Sequence, residues 1–267
     1  MNSANHSQDL RGQLVFLGTG TSVGIPMIGC GCAVCTSADP RNQRTRCGVV
    51  WGLPEGNLLI DTPPELRIQL IREKIGLIHA LAYTHDHADH VFGLDDTRMF
   101  GYYLGHALPV YCEEQVETRL RKAFDYCFVP RAHEYAGGVP QLELCRIGLD
   151  PFPVLGAQII PLRLEHGRFR VLGFRVGNVA YCTDTNHIPA ESWPLLADLD
   201  VLVLDALRAQ PHPTHFSLEE AVAVIERLRP KQSYLTHISH ALDHAAVEAS
   251  LPAHIRLAYD GLRIPLH

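Results

Sequence analysis

The stretch Thr84-His85-Asp86-His87-Ala88-Asp89-His90 carries four good metal-binding side chains, His85, His87, Asp89 and His90. Imidazole with carboxylate, and no thiolate, suits zinc, manganese or iron. On extended backbone, side chains two apart share one side, so His85 and His87 face one point. Asp89 and His90 are adjacent, and a turn must carry them toward a second point. The spacing therefore suits two neighbouring ions better than one. Such a pair of ions acidifies water and offsets the charge that grows on an ester under attack.

A second group has softer chemistry. Cys30, Cys32 and Cys35 are separated by small residues, at the close spacing of a structural zinc site. A tetrahedral site needs a fourth ligand, and Cys47 lies nearby. Zinc there would pin a polar, glycine-rich loop that has little core of its own.

These groups need elements to position them. Leu81-Ala82-Tyr83 reads as a short buried strand ending at the histidine loop. Three later apolar runs point the same way: 159–164 leads to His166, 179–183 to Asp184 and 233–236 to His237. One strand ending on His or Asp is ordinary, but several together suggest strand ends gathered at one rim. Residues 201–204 form another strand, ending at Asp205. Ser217 with Glu220 makes a capping box for a helix whose apolar face is Leu218, Ala221, Val222, Ile225 and Leu228. Earlier, residues 14–17 read as a first strand ending in Gly18-Thr19-Gly20, a tight turn with a phosphate-cradling loop as the sharper alternative. Residues 49–51 and 58–60 read as a hairpin around Pro54-Glu55-Gly56-Asn57. Helices are expected from Pro64 and over 115–126. Arg98 could meet a phosphate, but an ion pair with Asp95 or Asp96 is preferred. The polar stretch 129–138, with Arg131, His133 and Tyr135, is a candidate substrate-side loop.

A chain of 267 residues with 46% hydrophobic residues can bury a full core. Its formal charge of −6 gives no basic stripe for nucleic acid. No apolar run reaches the roughly 18 residues of a membrane span. Residues 1–12 lack the apolar core of a signal peptide and read as a disordered tail. We expect one domain over 13–267 in a reducing, cytoplasmic compartment.

His85-x-His87-x-Asp89-His90 at a strand end resembles the signature of the metallo-β-lactamase superfamily. Within it, the chain is similar to the phosphodiesterases that open phosphoribosyl 1,2-cyclic phosphate in the carbon–phosphorus lyase pathway, and to their relatives. The likeness runs from Leu17-Gly18-Thr19-Gly20 through Gly29-Cys30-Gly31-Cys32-Ala33-Val34-Cys35 to Thr236-His237-Ile238-Ser239-His240 and Tyr259-Asp260-Gly261. Asp61-Thr62-Pro63-Pro64-Glu65-Leu66-Arg67 and Gly93-Leu94-Asp95-Asp96-Thr97-Arg98 look more like the relatives. The resemblance implies an αββα sandwich, of mixed α/β class. It implies that His85, His87 and His166 bind one metal, that Asp89, His90 and His237 bind another, and that Asp184 bridges them. It makes Asp61 a group that orients the histidine loop, with a simple strand-end cap as the equal alternative. It gives His240 as the fourth ligand of the cysteine site, with Cys47 as runner-up. It puts His215 in the active site, where with Asp89 we read it as catalytic, His215 as the general acid. The cofactors implied are two catalytic divalent ions, manganese or zinc, and one structural zinc. The partners implied are a small phosphodiester, no nucleic acid, no membrane, and a second copy in a homodimer. Competing readings keep the metals but change the substrate, to a nucleic-acid 3′ end, a thioester or a lactone, or hold metal without turnover.

Overall fold

The computed structural model describes residues 8–129 and 137–266. Short apolar runs rich in branched side chains become strands, because such side chains fit a pleated surface. The first half gives β1 (Gln13–Gly18), β2 (Gly48–Leu53), β3 (Gly56–Ile60), β4 (Ala80–Ala82), β5 (Leu108–Cys112) and β6 (Leu142–Arg146). The second gives β7 (Phe152–Val154), β8 (Ala157–His166), β9 (Phe169–Val176) and β10 (Val179–Cys182). It continues with β11 (Val201–Asp205), β12 (Gln232–Thr236), β13 (Ile255–Leu257) and β14 (Arg263–Pro265). They form two seven-stranded sheets, ordered β14-β1-β2-β3-β4-β5-β6 and β13-β12-β11-β10-β9-β8-β7.

Phe16, Trp51, Phe174 and Tyr181 fill the space between the sheets. On the outer face of the first sheet, Leu66 and Leu70 of α1 (Leu66–Arg72) share a core with Val50 and Leu59. The one-turn α2 (Ala88–Val91), then α3 (Arg98–Leu104) and α4 (Glu114–Ala123) follow, and Val116 and Leu120 of α4 join the same core. On the outer face of the second sheet, Ala221 and Ile225 of α5 (Leu218–Leu228) pack with Leu202, Leu204 and Leu235. The short α6 (His244–Glu248) follows near the end. This is the expected αββα sandwich. The capping box forms as read: Ser217 Oγ accepts from Glu220 N, and Glu220 Oε2 accepts from Ser217 N at 2.8 Å.

Strand direction positions the site. β3 to β6 are mutually parallel, and so are β10 to β13. Parallel neighbours finish on one edge, the usual ligand edge of α/β sheets. Leu172 N donates to Thr84 O at 2.9 Å, tying the histidine loop of the first sheet to β9 of the second.

Several expectations need correction. The tail is shorter than 1–12: Leu10 is 1% exposed, and the carbonyl of Leu10 lies where any side chain on Gly52 would have to stand. Residues 1–7 lie outside the described residues, as does 130–136 with Arg131, His133 and Tyr135. The first α-helix starts at Leu66 rather than Pro64. The helix read over 115–126 spans 114–123, followed by a separate 3₁₀ turn. Gly18-Thr19-Gly20 is not an open cradle. A Cβ at Gly18 would stand 2.0 Å from Arg46 O, and one at Gly20 2.6 Å from Arg44 O. Thr19 N and Oγ1 instead donate to Asp260 Oδ1 at 2.9 and 2.8 Å. Arg98 pairs with Asp95, the preferred reading.

Candidate metal centre

The histidine loop builds itself in two conformations. After β4 the chain bends at Thr84 and is extended at His87, whose φ and ψ are −68° and 152°. It then turns into α2, where His90 N donates to His87 O at 3.0 Å. His87 thus comes from extended backbone just before the turn, and Asp89 and His90 from a helical turn. This is the change of direction that adjacent ligands require.

The remaining predicted residues arrive from strand ends. His166 ends β8, Asp184 follows β10 and His237 follows β12. The ligand atoms of His85, His87 and His166 lie within 4.8 Å of one another, and so do those of Asp89, His90, Asp184 and His237. Asp184 faces both groups. Its Oδ2 is 3.9 Å from His85 Nε2 and 3.2 Å from His237 Nε2, and its Oδ1 is 3.3 Å from His90 Nε2. Asp89 Oδ2 is 3.3 Å from His90 Nε2 and 3.8 Å from His237 Nε2. Asp61, Asp184 and His237 all sit at left-handed φ, +63°, +50° and +57°. Non-glycine residues rarely hold that conformation, and such strain collects at functional sites.

Outer partners turn the rings. Asp61 Oδ2 accepts from His90 Nδ1 at 2.8 Å and from Thr84 Oγ1 at 2.8 Å, and Asp61 Oδ1 accepts from Thr84 N at 2.9 Å. Having donated to Asp61, Thr84 Oγ1 accepts from His85 Nδ1 at 2.9 Å. Thr214 O accepts from His166 Nδ1 at 2.6 Å. Each ring so held turns Nε2 inward, the tautomer that metal-binding histidines need. Asp61 therefore orients the loop and is more than a strand-end cap.

A cation fits what is left. Nε2 of His85, His90 and His237 is buried and has no hydrogen-bond partner among the described residues. Nε2 lone pairs and carboxylate oxygens facing each other at 3.2–3.9 Å repel unless a positive charge lies between them. Ligands about 2.0–2.2 Å from one ion sit about 3.0–3.5 Å apart, which matches. Protons alone would have to share a crowded field. Burial disfavours a charged His90, but Asp184, Asp89 and Asp61 override it and raise its pKa well above the imidazole range. Burial likewise opposes charge on His237, while Asp184 and Asp89 push it up to about 9. His85 goes the other way, lowered well below its usual range by burial and by His90.

His215 arrives beside the cluster. Its ring lies 4.6 Å from that of His237 and 4.5 Å from that of His166. Asp205 Oδ2 accepts from His215 Nδ1 at 2.6 Å and from Thr185 N at 2.8 Å. Sequence reasoning assigned no role to Asp205. The signal was present, because Asp205 is one more carboxylate ending a strand.

The cysteines form a separate cluster. Sγ of Cys30, Cys32 and Cys35 lie 3.3, 3.4 and 3.7 Å from His240 Nδ1. Sulfur and nitrogen ligands of one tetrahedral zinc would stand about 3.6 Å apart. The backbone N–H of Cys35 helps push the Cys32 thiol down to about 6, toward the thiolate a metal needs. Cys47 is elsewhere, buried against Gly20 O and Thr236 Oγ1, so His240 is the fourth member of the cluster.

Comparison with known proteins decides the family. Residues 56–238 match the model described as the beta-lactamase superfamily domain. The chain belongs to the beta-lactamase superfamily. A crystal structure of a diphosphatase of the PhnP family is 44% identical, with a TM-score of 0.88, covering 94% of this chain and 96% of that one. Zinc-bound PqqB from Methylobacterium extorquens shares the fold at 19% identity and a TM-score of 0.77, covering 95% of this chain and all of that one. A curated relative from Porphyromonas gingivalis (strain ATCC BAA-308 / W83), named octanoyltransferase, is 38% identical over 255 residues and 93% of this chain. The chain spans about half the length of that relative, 50%. In this superfamily member the clustered His and Asp side chains suit divalent metal ions. Among the described residues, no helix is long and apolar enough to cross a membrane.

Proposed function

We propose that the chain is a two-metal phosphodiesterase that opens a small, cyclic phosphodiester such as phosphoribosyl 1,2-cyclic phosphate. One observation carries this: the Asp184 carboxylate lies between the His85 group and the His90–His237 group, with the His215–Asp205 pair beside them. The likeness to a diphosphatase supports phosphorus as the atom attacked.

His85, His87 and His166 would hold one manganese or zinc ion, Asp89, His90 and His237 the other, and Asp184 both. Bound there, the ions acidify water toward neutrality and offset charge on the phosphoryl oxygens. The protein's own groups do the rest. Asp61 and Thr84 keep the His85 and His90 rings turned inward, so no reorientation is needed at the moment of reaction. Asp205 holds His215 by Nδ1, leaving Nε2 to give its proton to the leaving alkoxide. Asp205 then offsets the charge of the imidazolium that makes this donation. Asp89, beside His90 and His237, would serve as a ligand of the second ion.

The cysteine cluster with His240 would hold a structural zinc, which points to a reducing, cytoplasmic compartment. The chain acts on a small molecule rather than nucleic acid or membrane, and pairs as a homodimer. Cys32→Ser should remove one zinc per chain and lower Tm by on the order of 5–10 °C. Metal analysis beside calorimetry reads both, and unchanged zinc content and Tm would refute the structural role.

The test of the reaction is a substrate panel with added manganese: bis(p-nitrophenyl) phosphate, ribose cyclic phosphates, and octanoyl thioesters. Diester hydrolysis that stops on chelation is expected. The name of the Porphyromonas relative favours a second reading, an acyl substrate at the same centre. Turnover of the thioester and of no diester would establish that reading.

A further inference from the structure

At the β13 edge of the second sheet lies a cavity of about 460 Å³. It shares no residue with the metal centre or with the cysteine cluster. Tyr234 of β12 and Arg256 of β13 stand opposite each other on its wall, so their side chains leave the same face. That face is the inner one, since Tyr234 packs against Phe16, with ring centres 6.0 Å apart. Inner faces of a sandwich are normally apolar. Ile255 and Leu257, on either side of Arg256, do join a core, on the outer side of the sheet. Arg256 instead carries a charge to the inner side, and makes no hydrogen bond or ion pair among the described residues.

Further donors reach the cavity from other elements. Arg41 comes from the turn at Pro40–Asn42, and gives Nε and Nη2 to Asp39 at 3.0 and 2.8 Å, which leaves Nη1. Tyr259 comes from just beyond β13, edge-on to His244 with ring centres 5.9 Å apart. Neither the Tyr234 nor the Tyr259 phenol has a hydrogen-bond partner among the described residues. His244 lines the cavity at 2% exposure, and its Nδ1 is buried with no partner among the described residues. Burial, then the charges of Arg41 and Arg44, push it down to about 4, so the ring is neutral. Glu248 is the carboxylate on the wall. Its Oε2 accepts from Leu257 N at 3.0 Å and lies 3.5 Å from His244 Nε2, which leaves Oε1.

The walls are tied together with the cavity empty. Asn42 Nδ2 donates to Asp243 Oδ2 at 2.7 Å, and Asn42 Oδ1 accepts from His244 N at 2.9 Å. The buried Arg44 donates to Asn42 Oδ1 and to Leu242 O, both at 3.0 Å. Arg41 and His244 are therefore positioned in advance, which lowers the entropy lost on binding.

We propose that this cavity is a second binding site, for a small phosphomonoester that carries hydroxyl groups, of the sugar-phosphate kind. Arg256 forks onto the phosphoryl oxygens, and Arg41 Nη1 and the two phenols approach from other walls. Three phosphoryl oxygens splay toward donors on several sides, whereas a planar carboxylate meets them in one plane. Glu248 Oε1 accepts from a hydroxyl of the ligand. The site does not depend on the phosphodiesterase reading.

Calorimetry of the metal-loaded protein with ribose 5-phosphate tests this. Phosphate also meets metal ions, so variants must separate the two places. One binding event should survive His87→Ala and weaken by about 10- to 150-fold in Arg256→Ala, the loss of a hydrogen-bonded charge. Tyr234→Phe should weaken the same event by about 2- to 10-fold. Arg256→Ala should keep the metal content and circular dichroism of the wild type, which separates lost binding from lost fold. An event untouched by Arg256→Ala, or one that disappears in His87→Ala, would place the ligand on the metals and overturn the site. No binding of ribose 5-phosphate would overturn it too, leaving Arg256 as a charge that guards the sheet edge. Citrate bound as tightly as ribose 5-phosphate would overturn the phosphomonoester assignment.

Discussion

His87→Ala should reduce diester hydrolysis on the order of 10³-fold or more while the protein stays folded. His87 is half-buried, and its contacts are the rings of His85, His166 and Phe169. It belongs to no apolar core, and its side chain makes no capping hydrogen bond to α2. Removing it leaves His85 and His166 alone on one side of Asp184, too few to hold an ion tightly. The stability cost should stay within about 1 kcal/mol, as for a polar site away from the core. Far-ultraviolet circular dichroism, Tm and metal content separate the two effects. Normal turnover by this variant would remove His87 from the centre.

His215→Ala should show a loss that depends on the leaving group. With a ribose cyclic diester, whose leaving alkoxide needs a proton, the loss should be about 10²–10⁴-fold. With bis(p-nitrophenyl) phosphate the leaving phenolate is stable without one, and the loss should be less than about tenfold. Asp205→Asn should repeat the pattern more weakly, since Asp205 acts through His215 Nδ1. Equal losses on both substrates would make His215 a binding group rather than a proton donor.

The residues that bind were easier to read in the sequence than those that aim them. His85 to His90 are contiguous, and His166, Asp184 and His237 each lie where an apolar run stops, so strand pattern and residue type agree. The sandwich follows for the same reason, since apolar runs and amphipathic helices alternate along the chain. Asp61 and Thr214 act through contacts between segments distant in sequence, and Thr84 reaches Asp61 in the same way, which no local pattern encodes. Their side chains are of types that also cap strands and turns, so identity alone did not separate the roles. The glycines at 18 and 20 left a phosphate cradle open beside the tight turn for a related reason. They are there to let Arg44 and Arg46 backbone approach, and a close approach leaves the same mark in sequence as an anion-binding turn.

Anomalous diffraction from crystals grown with manganese tests the metal centre most directly. Two peaks about 3.5–4 Å apart are expected, one ringed by His85, His87 and His166, the other by Asp89, His90 and His237, with Asp184 touching both. A single peak, or peaks away from Asp184, would contradict the two-metal account.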